Sequence, residues 1–168
     1  DGLRALAILL VTIFHFNLFD TGKAGFIGVD IFFVISGFLI TSIIVNELNS
    51  GDFQYTGFLY RRFRRLYPAM LFTLILYLAL GYLLFLPDLY EELGFEALLS
   101  QLYVVNIYFW RSVNYFGLQA GSVPLLHMWS LAVEEQFYLL FPLFCAVVYR
   151  FRKNWLFGAI ALATLGSF

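Results

Sequence analysis

The chain has 168 residues, of which 62% are hydrophobic, 21% aromatic and 12% charged. Soluble domains carry roughly 25% charged residues, so the composition excludes an ordinary water-soluble domain and indicates a polytopic membrane protein. A formal net charge of −1 says nothing about partners; the placement of the charges does, and no nucleic acid is expected among them.

The first apolar run, Leu3–Phe19, has the length of a membrane helix. It holds Arg4 and His15, which on a helix lie about three turns and about 16 Å apart on nearly the same face. Ionisable groups are costly in a bilayer and are usually retained for function. Arg4 is read either as a snorkelling cation or as an anion site. His15 is read either as a structural partner of a neighbouring helix or as a general base, since a neutral imidazole takes a proton near pH 7. Asp1 at the same end orients Arg4 or caps the helix. The run lacks a small-x-small cleavage site before Phe26 and more apolar segments follow, so it is not a signal peptide.

A loop, Asp20–Gly25, leads into the second run, Phe26–Val45. Asp30 lies near its start, where a carboxylate suits the helix dipole; the sharper role is to pair with His15 or line a substrate path. Ser36-Gly37 are small residues expected at a close helix contact. As a nucleophile, Ser36 has no adjacent base. The loop Asn46–Leu66 carries Arg61, Arg62, Arg64 and Arg65 and is expected to be cytoplasmic. Such a cluster anchors a protein to the membrane surface. It also suits bidentate phosphate binding, with a phosphate-bearing donor or an anionic lipid as ligand.

The third run, Tyr67–Leu86, is closed by Pro87, and the acidic loop Asp88–Glu92 follows, expected outside. The fourth, Phe95–Trp110, is interrupted by Glu96, Ser100, Gln101 and Asn106. The fifth, Leu125–Tyr149, contains Glu134, Glu135 and Pro142 and ends at the basic group Arg150, Arg152 and Lys153. If both basic clusters are cytoplasmic, an even number of crossings separates them. The fourth run is then interfacial or re-entrant; in the competing layout all three runs cross and Arg150 is outside. Cys145, the single cysteine, excludes an internal disulfide and is read as a packing residue. A sixth run begins at Trp155 and stops inside apolar sequence, and the chain opens without Met, so it is read as a piece of a larger membrane domain.

In the fifth run His127, Ser130, Glu134 and Tyr138 follow the spacing i, i+3, i+7, i+11, with Trp129 beside them. On a helix these polar groups share a face, which inside a membrane faces a cavity or a partner helix. Pro124 sits just before, where proline is tolerated at a helix start.

Four motifs carry a resemblance. They are Asp1-Gly2-Leu3-Arg4-Ala5-Leu6-Ala7 with His15, Gly28–Ile40, Arg61-Arg62-Phe63-Arg64-Arg65-Leu66-Tyr67-Pro68, and His127–Tyr138. In this order they resemble the acyltransferase 3 family, bacterial membrane O-acyltransferases that modify surface polysaccharides, and they cover nearly the whole chain. The resemblance implies an all-α polytopic transmembrane bundle in the bacterial inner membrane. The chain would be the N-terminal half of an integral-membrane domain of about ten helices, the element a bilayer admits, with residues 1–168 all within that one domain. It implies acyl transfer from cytoplasmic acyl-CoA, usually acetyl-CoA, to a carbohydrate hydroxyl, without a metal. Arg4 and His15 match the family's essential pair, and Asp30 joins them as a catalytic candidate. Arg61, Arg62 and Arg65 match its basic motif and would hold the CoA phosphates. His127, Trp129, Ser130, Glu134 and Tyr138 form the candidate cavity stripe. O-antigen of lipopolysaccharide, exopolysaccharide, peptidoglycan, a small glycoside and a macrolide stay open as acceptors. So does a different class, a transporter or channel using the intramembrane Arg, His, Asp and Glu as a relay.

Overall fold

The computed structural model describes residues 2–15, 27–112, 123–152 and 155–165, and within these it is all-helical. The helices are α1 (Gly2–His15), α2 (Ile27–Ser50), α3 (Tyr55–Leu84), α4 (Pro87–Gln101), α5 (Val105–Ser112), α6 (Met128–Arg152) and α7 (Leu156–Leu165). Among the described residues three helices are long and apolar enough to cross a membrane: Ile27–Ser50, Tyr55–Leu84 and Met128–Phe151. The loop Asp20–Gly25 lies outside the described residues, as does the end of the first apolar run.

Two expected loops are helical instead. The stretch Asn46–Leu66 is helix on both sides of a short link, because α2 continues to Ser50 and α3 starts at Tyr55. Gly51, with φ 80°, ends α2 by letting Asp52 N–H reach the Glu47 carbonyl (3.0 Å) and Gly51 N–H the Leu48 carbonyl (3.3 Å). Arg61–Arg65 therefore ride on the first turns of α3. The acidic stretch Asp88–Glu92 belongs to α4, where Pro87 stands at the helix start and Asp88 in its first turn, both favoured there. The fourth apolar run is broken: α4 and α5 meet at residues 102–104, and neither has the length to span.

The chain forms two compact units, Asp1–Phe53 with Phe144–Phe168, and Gln54–Leu143. In the first, α1 packs on α2. The close approach is at Gly28, where a Cβ would lie 2.7 Å from the Ala7 carbonyl oxygen and 2.8 Å from Val11 Cγ2. Nothing lies within 4 Å of a Cβ built at Gly37, so of the pair Ser36-Gly37 the glycine makes no close contact. Ser36 itself is buried. Tyr149 donates to Asn49 Oδ1 at 3.3 Å, joining the end of α6 to the end of α2. Cys145 is buried, as a packing residue would be.

In the second unit α3, α4, α5 and the start of α6 surround Met70, Leu74, Leu93, Ala97, Val105, Phe109, Leu125, Met128 and Ala132. Gly81 lets α4 approach α3: a Cβ there would sit 2.5 Å from Leu93 Cδ2. Tyr55 donates to the Leu139 carbonyl at 3.0 Å, tying α3 to α6. Many large apolar side chains stay exposed, among them Leu3, Phe72, Leu83, Leu140 and Phe157. In water such a surface would aggregate; it is what a lipid-facing bundle presents. Thr12, Thr41, Ser42, Thr73 and Thr164 each donate to the carbonyl four residues earlier, so these hydroxyls are satisfied within their own helices.

Candidate functional site

The candidate site residues separate by unit. Arg4 lies in the first turn of α1 and His15 is its last residue; their side chains, and Asp1, lie outside the described residues. Asp30 is in the first turn of α2 and exposed.

The second unit assembles a polar site beside the basic turns of α3. Arg61, Arg64 and Arg65 are exposed, while Arg62 is half-buried. Its guanidinium lies 5.5 Å from the Phe58 ring centre and 5.8 Å from that of Tyr138, within cation–π range. One turn apart on α6, the buried Tyr138 hydroxyl donates to Glu134 Oε1. Arg62, Tyr138 and Glu134, picked from two separate motifs, are thus brought together.

The rest of the expected stripe divides. α6 begins at Met128, so His127 precedes the helix and cannot share its face. Its ring is exposed and tilted against Tyr77 at 5.7 Å. Ser130 donates to the His127 carbonyl at 3.0 Å, which satisfies that hydroxyl locally. Trp129 packs against the hydrophobic core. The stripe is therefore one buried pair and three residues with other surroundings.

Beside the pair is a network the sequence did not mark as a site. Gln136 donates 2.7 Å to the Tyr103 carbonyl and 3.0 Å to Asn106 Oδ1, and accepts from Asn106 Nδ2 at 3.1 Å. Gln101 donates to the Tyr67 hydroxyl at 2.5 Å. The Tyr103 hydroxyl and Glu135 Oε1 are buried without a hydrogen-bond partner. Burial, with the nearby Glu135 and Tyr67, pushes the Tyr103 phenol up to about 12, so it stays a donor at neutral pH. The local signal for this network was the polar interruption of the fourth run at Gln101 and Asn106. Their partners lie 34 and 30 residues away and leave no local pattern.

A further buried carboxyl, Glu96 on α4, is 1% exposed. Burial and the nearby Glu92 raise it from 4.5 to about 7, while the Leu125 backbone pulls it down.

This arrangement can do two things chemically. The exposed guanidiniums offer fixed positive charge and forked donors at a helix surface, the geometry that suits phosphates. The interior behind Arg62 offers neutral donors and carboxylate acceptors in a low-dielectric setting, where each hydrogen bond counts for more.

Comparison with known proteins places the chain among relatives. The chain is 44% identical over 156 residues to the peptidoglycan O-acetyltransferase OatA of Listeria monocytogenes, covering 92% of the chain and 25% of that protein. It is 41% identical over 170 residues to the O-acetyltransferase OatA of Staphylococcus aureus, covering 99% of the chain and 28% of that protein. The chain thus spans little more than a quarter of the length of these relatives. No solved structure matches it. The acyltransferase-domain model matches residues 1–168 from end to end, and the chain belongs to that family.

Proposed function

We propose that the protein is a membrane O-acyltransferase that moves an acetyl group from cytoplasmic acyl-CoA to a hydroxyl of a cell-surface carbohydrate. The observation that carries this is the family match over the whole chain, joined to an arginine cluster whose inner member, Arg62, reaches the Glu134–Tyr138 pair. Arg61, Arg62 and Arg65 bind the CoA phosphates. His15 takes the proton of the acceptor hydroxyl as its oxygen attacks the thioester carbonyl. The C–O bond forms, the C–S bond breaks, and the proton passes to the departing thiolate. Arg4 holds negative charge near that centre, and Asp30 orients or pairs with His15. Peptidoglycan is the favoured acceptor, because the Listeria relative is named for it.

Topology supports a cytoplasmic donor site in the bacterial inner membrane. Between Arg61–Arg65 and Arg150–Arg152, α3 and α6 are the two described helices long enough to span. An even number of crossings would keep both basic clusters on one side, and their excess of arginine supports the cytoplasmic side for both.

The test uses the full-length protein in membrane vesicles with acetyl-labelled CoA. Label reaching peptidoglycan or the protein itself, and lost in His15→Ala with insertion intact, is the expected result. Wild-type vesicles that move solute without any thioester turnover would sink the enzyme reading in favour of a transporter. Near-normal transfer by His15→Ala would remove the base assignment alone.

A further inference from the structure

Tyr103 occupies a backbone position that suits glycine. Its φ is 54°, and it closes α4 as Gly51 closes α2: Tyr103 N–H donates to the Ser100 carbonyl and Val104 N–H to the Leu99 carbonyl, both at 3.0 Å. Glycine takes this left-handed position without a steric cost, and a bulky side chain does not. A tyrosine there is a conformational cost that asks for a reason in its side chain.

The side chain carries its hydroxyl into a buried setting and leaves it there unpaired. Glu135 Oε1 is also unpaired, and Gln136, its neighbour in the chain, donates to the Tyr103 carbonyl. They do not bond to each other. Tyr67 accepts from Gln101, and Gln136 is taken by the Tyr103 carbonyl and Asn106. Tyr103 thus offers an unpaired buried donor and Glu135 an unpaired buried acceptor. Unsatisfied buried polar groups are expensive, and two together mark a place that something else completes.

We propose that Tyr103 and Glu135 seat a secondary amide in the arm of the acyl donor, the Tyr103 hydroxyl donating to the amide carbonyl and Glu135 accepting the amide N–H. This rests on the acyl-CoA reading above. An amide presents one acceptor and one donor, matching the two unpaired groups. The arm of an acyl-CoA carries secondary amides between its phosphates and its thioester. On α3, Arg61 and Tyr67 are six residues apart, about 9 Å along the axis. Arg62 lies over Tyr138, about one turn from Glu135 on α6. The seat thus lies inward of the cations, where an arm anchored by its phosphates would run.

Full-length protein in membrane vesicles is assayed with acetyl-CoA and with S-acetylpantetheine, which keeps the arm and lacks the nucleotide. Tyr103→Phe is expected to raise KM for both donors by the same factor, about tenfold for one lost buried hydrogen bond, with the acceptor KM unmoved. Arg61→Ala is expected to raise KM for acetyl-CoA alone. Glu135→Gln, which keeps a weaker neutral acceptor, is expected to raise KM about threefold, and Glu135→Leu by about tenfold or more. These two variants decide the matter if Tyr103→Phe fails to accumulate. A purely structural tyrosine gives unchanged KM in Tyr103→Phe with equal or higher thermal stability, and that result overturns the seat. So does an effect confined to the acceptor KM. Wild-type vesicles with no acetyl-CoA turnover overturn the donor reading and the seat together, whereas normal turnover with insensitive variants removes the seat alone.

Discussion

The guanidinium of Arg62 lies 5.8 Å from the ring centre of Tyr138, whose hydroxyl donates to the buried Glu134. A cation, a ring and a carboxylate from two helices are thereby stacked in one sequence of contacts, while the neighbouring arginines face outward. Arg62 should therefore respond to mutation differently from its neighbours. Arg62→Lys loses the flat guanidinium that stacks on Phe58 and Tyr138, and about 1 kcal/mol of stability with it. Arg64→Ala should leave stability nearly unchanged. Thermal unfolding in detergent compares the two, and equal losses would refute the distinction.

Gly28 sets the approach of α1 to α2. Gly28→Leu drives a side chain into the Ala7 carbonyl and Val11. It should cost on the order of 1–3 kcal/mol by overpacking and displace the helix that carries Arg4 and His15. Gly37→Ala, in open space, serves as the control and should be tolerated. Protease resistance of the two variants in membranes is the measurement.

Glu96 links stability to pH. Its carboxyl titrates near 7 in the fold against 4.5 when unperturbed. Between these values the unfolded chain has released the proton that the folded chain still holds, so stability falls as pH rises through that window. The loss is complete above about 7 and reaches about 3 kcal/mol at most. Glu96→Gln should flatten the dependence, gaining stability at pH 8 and little at pH 4. Melting temperatures at both pH values, for wild type and variant, check the sign; a wild type that stabilises from pH 5 to 8 by this group would contradict it.

Gln136 satisfies the Tyr103 carbonyl and the Asn106 side chain together. Gln136→Leu keeps the volume and strands both, which should cost about 2–4 kcal/mol. The double variant Asn106→Leu/Gln136→Leu should recover part of that loss, since one stranded side chain disappears. A double-mutant cycle on denaturation midpoints gives the coupling, and strict additivity would deny the pairing.

The spanning helices were legible in the sequence because length and apolar content determine them: α2, α3 and α6 coincide with the second, third and fifth apolar runs. Their polar extensions were less visible. Tyr55–Leu66 is helical although charged, because helix formation continues through arginine and leucine as readily as through apolar sequence. The helix at Asp88–Glu92 had local signals, proline then aspartate at a start, that its acidity obscured. The stripe at His127–Tyr138 was half legible: helical spacing identified Glu134 and Tyr138, but residues 124–127 form turns, with Leu126 N–H on the Val123 carbonyl and Met128 N–H on the Leu125 carbonyl, and His127 lies outside the helix. The Tyr103, Asn106 and Gln136 network depends on pairing across some thirty residues, which no local periodicity encodes.

Hydroxyls such as Thr41 and Thr73 bond within their own helices, so those segments are complete as soon as they leave the ribosome. Asn106 and the Tyr103 carbonyl are not; their partner, Gln136, is synthesised thirty residues later. The α4–α5 segment therefore has a reason to stay at the wet edge of the bilayer during translation, and to sink only when α6 arrives. Stalling the nascent chain before residue 136 should therefore leave α4 and α5 open to water-soluble labels.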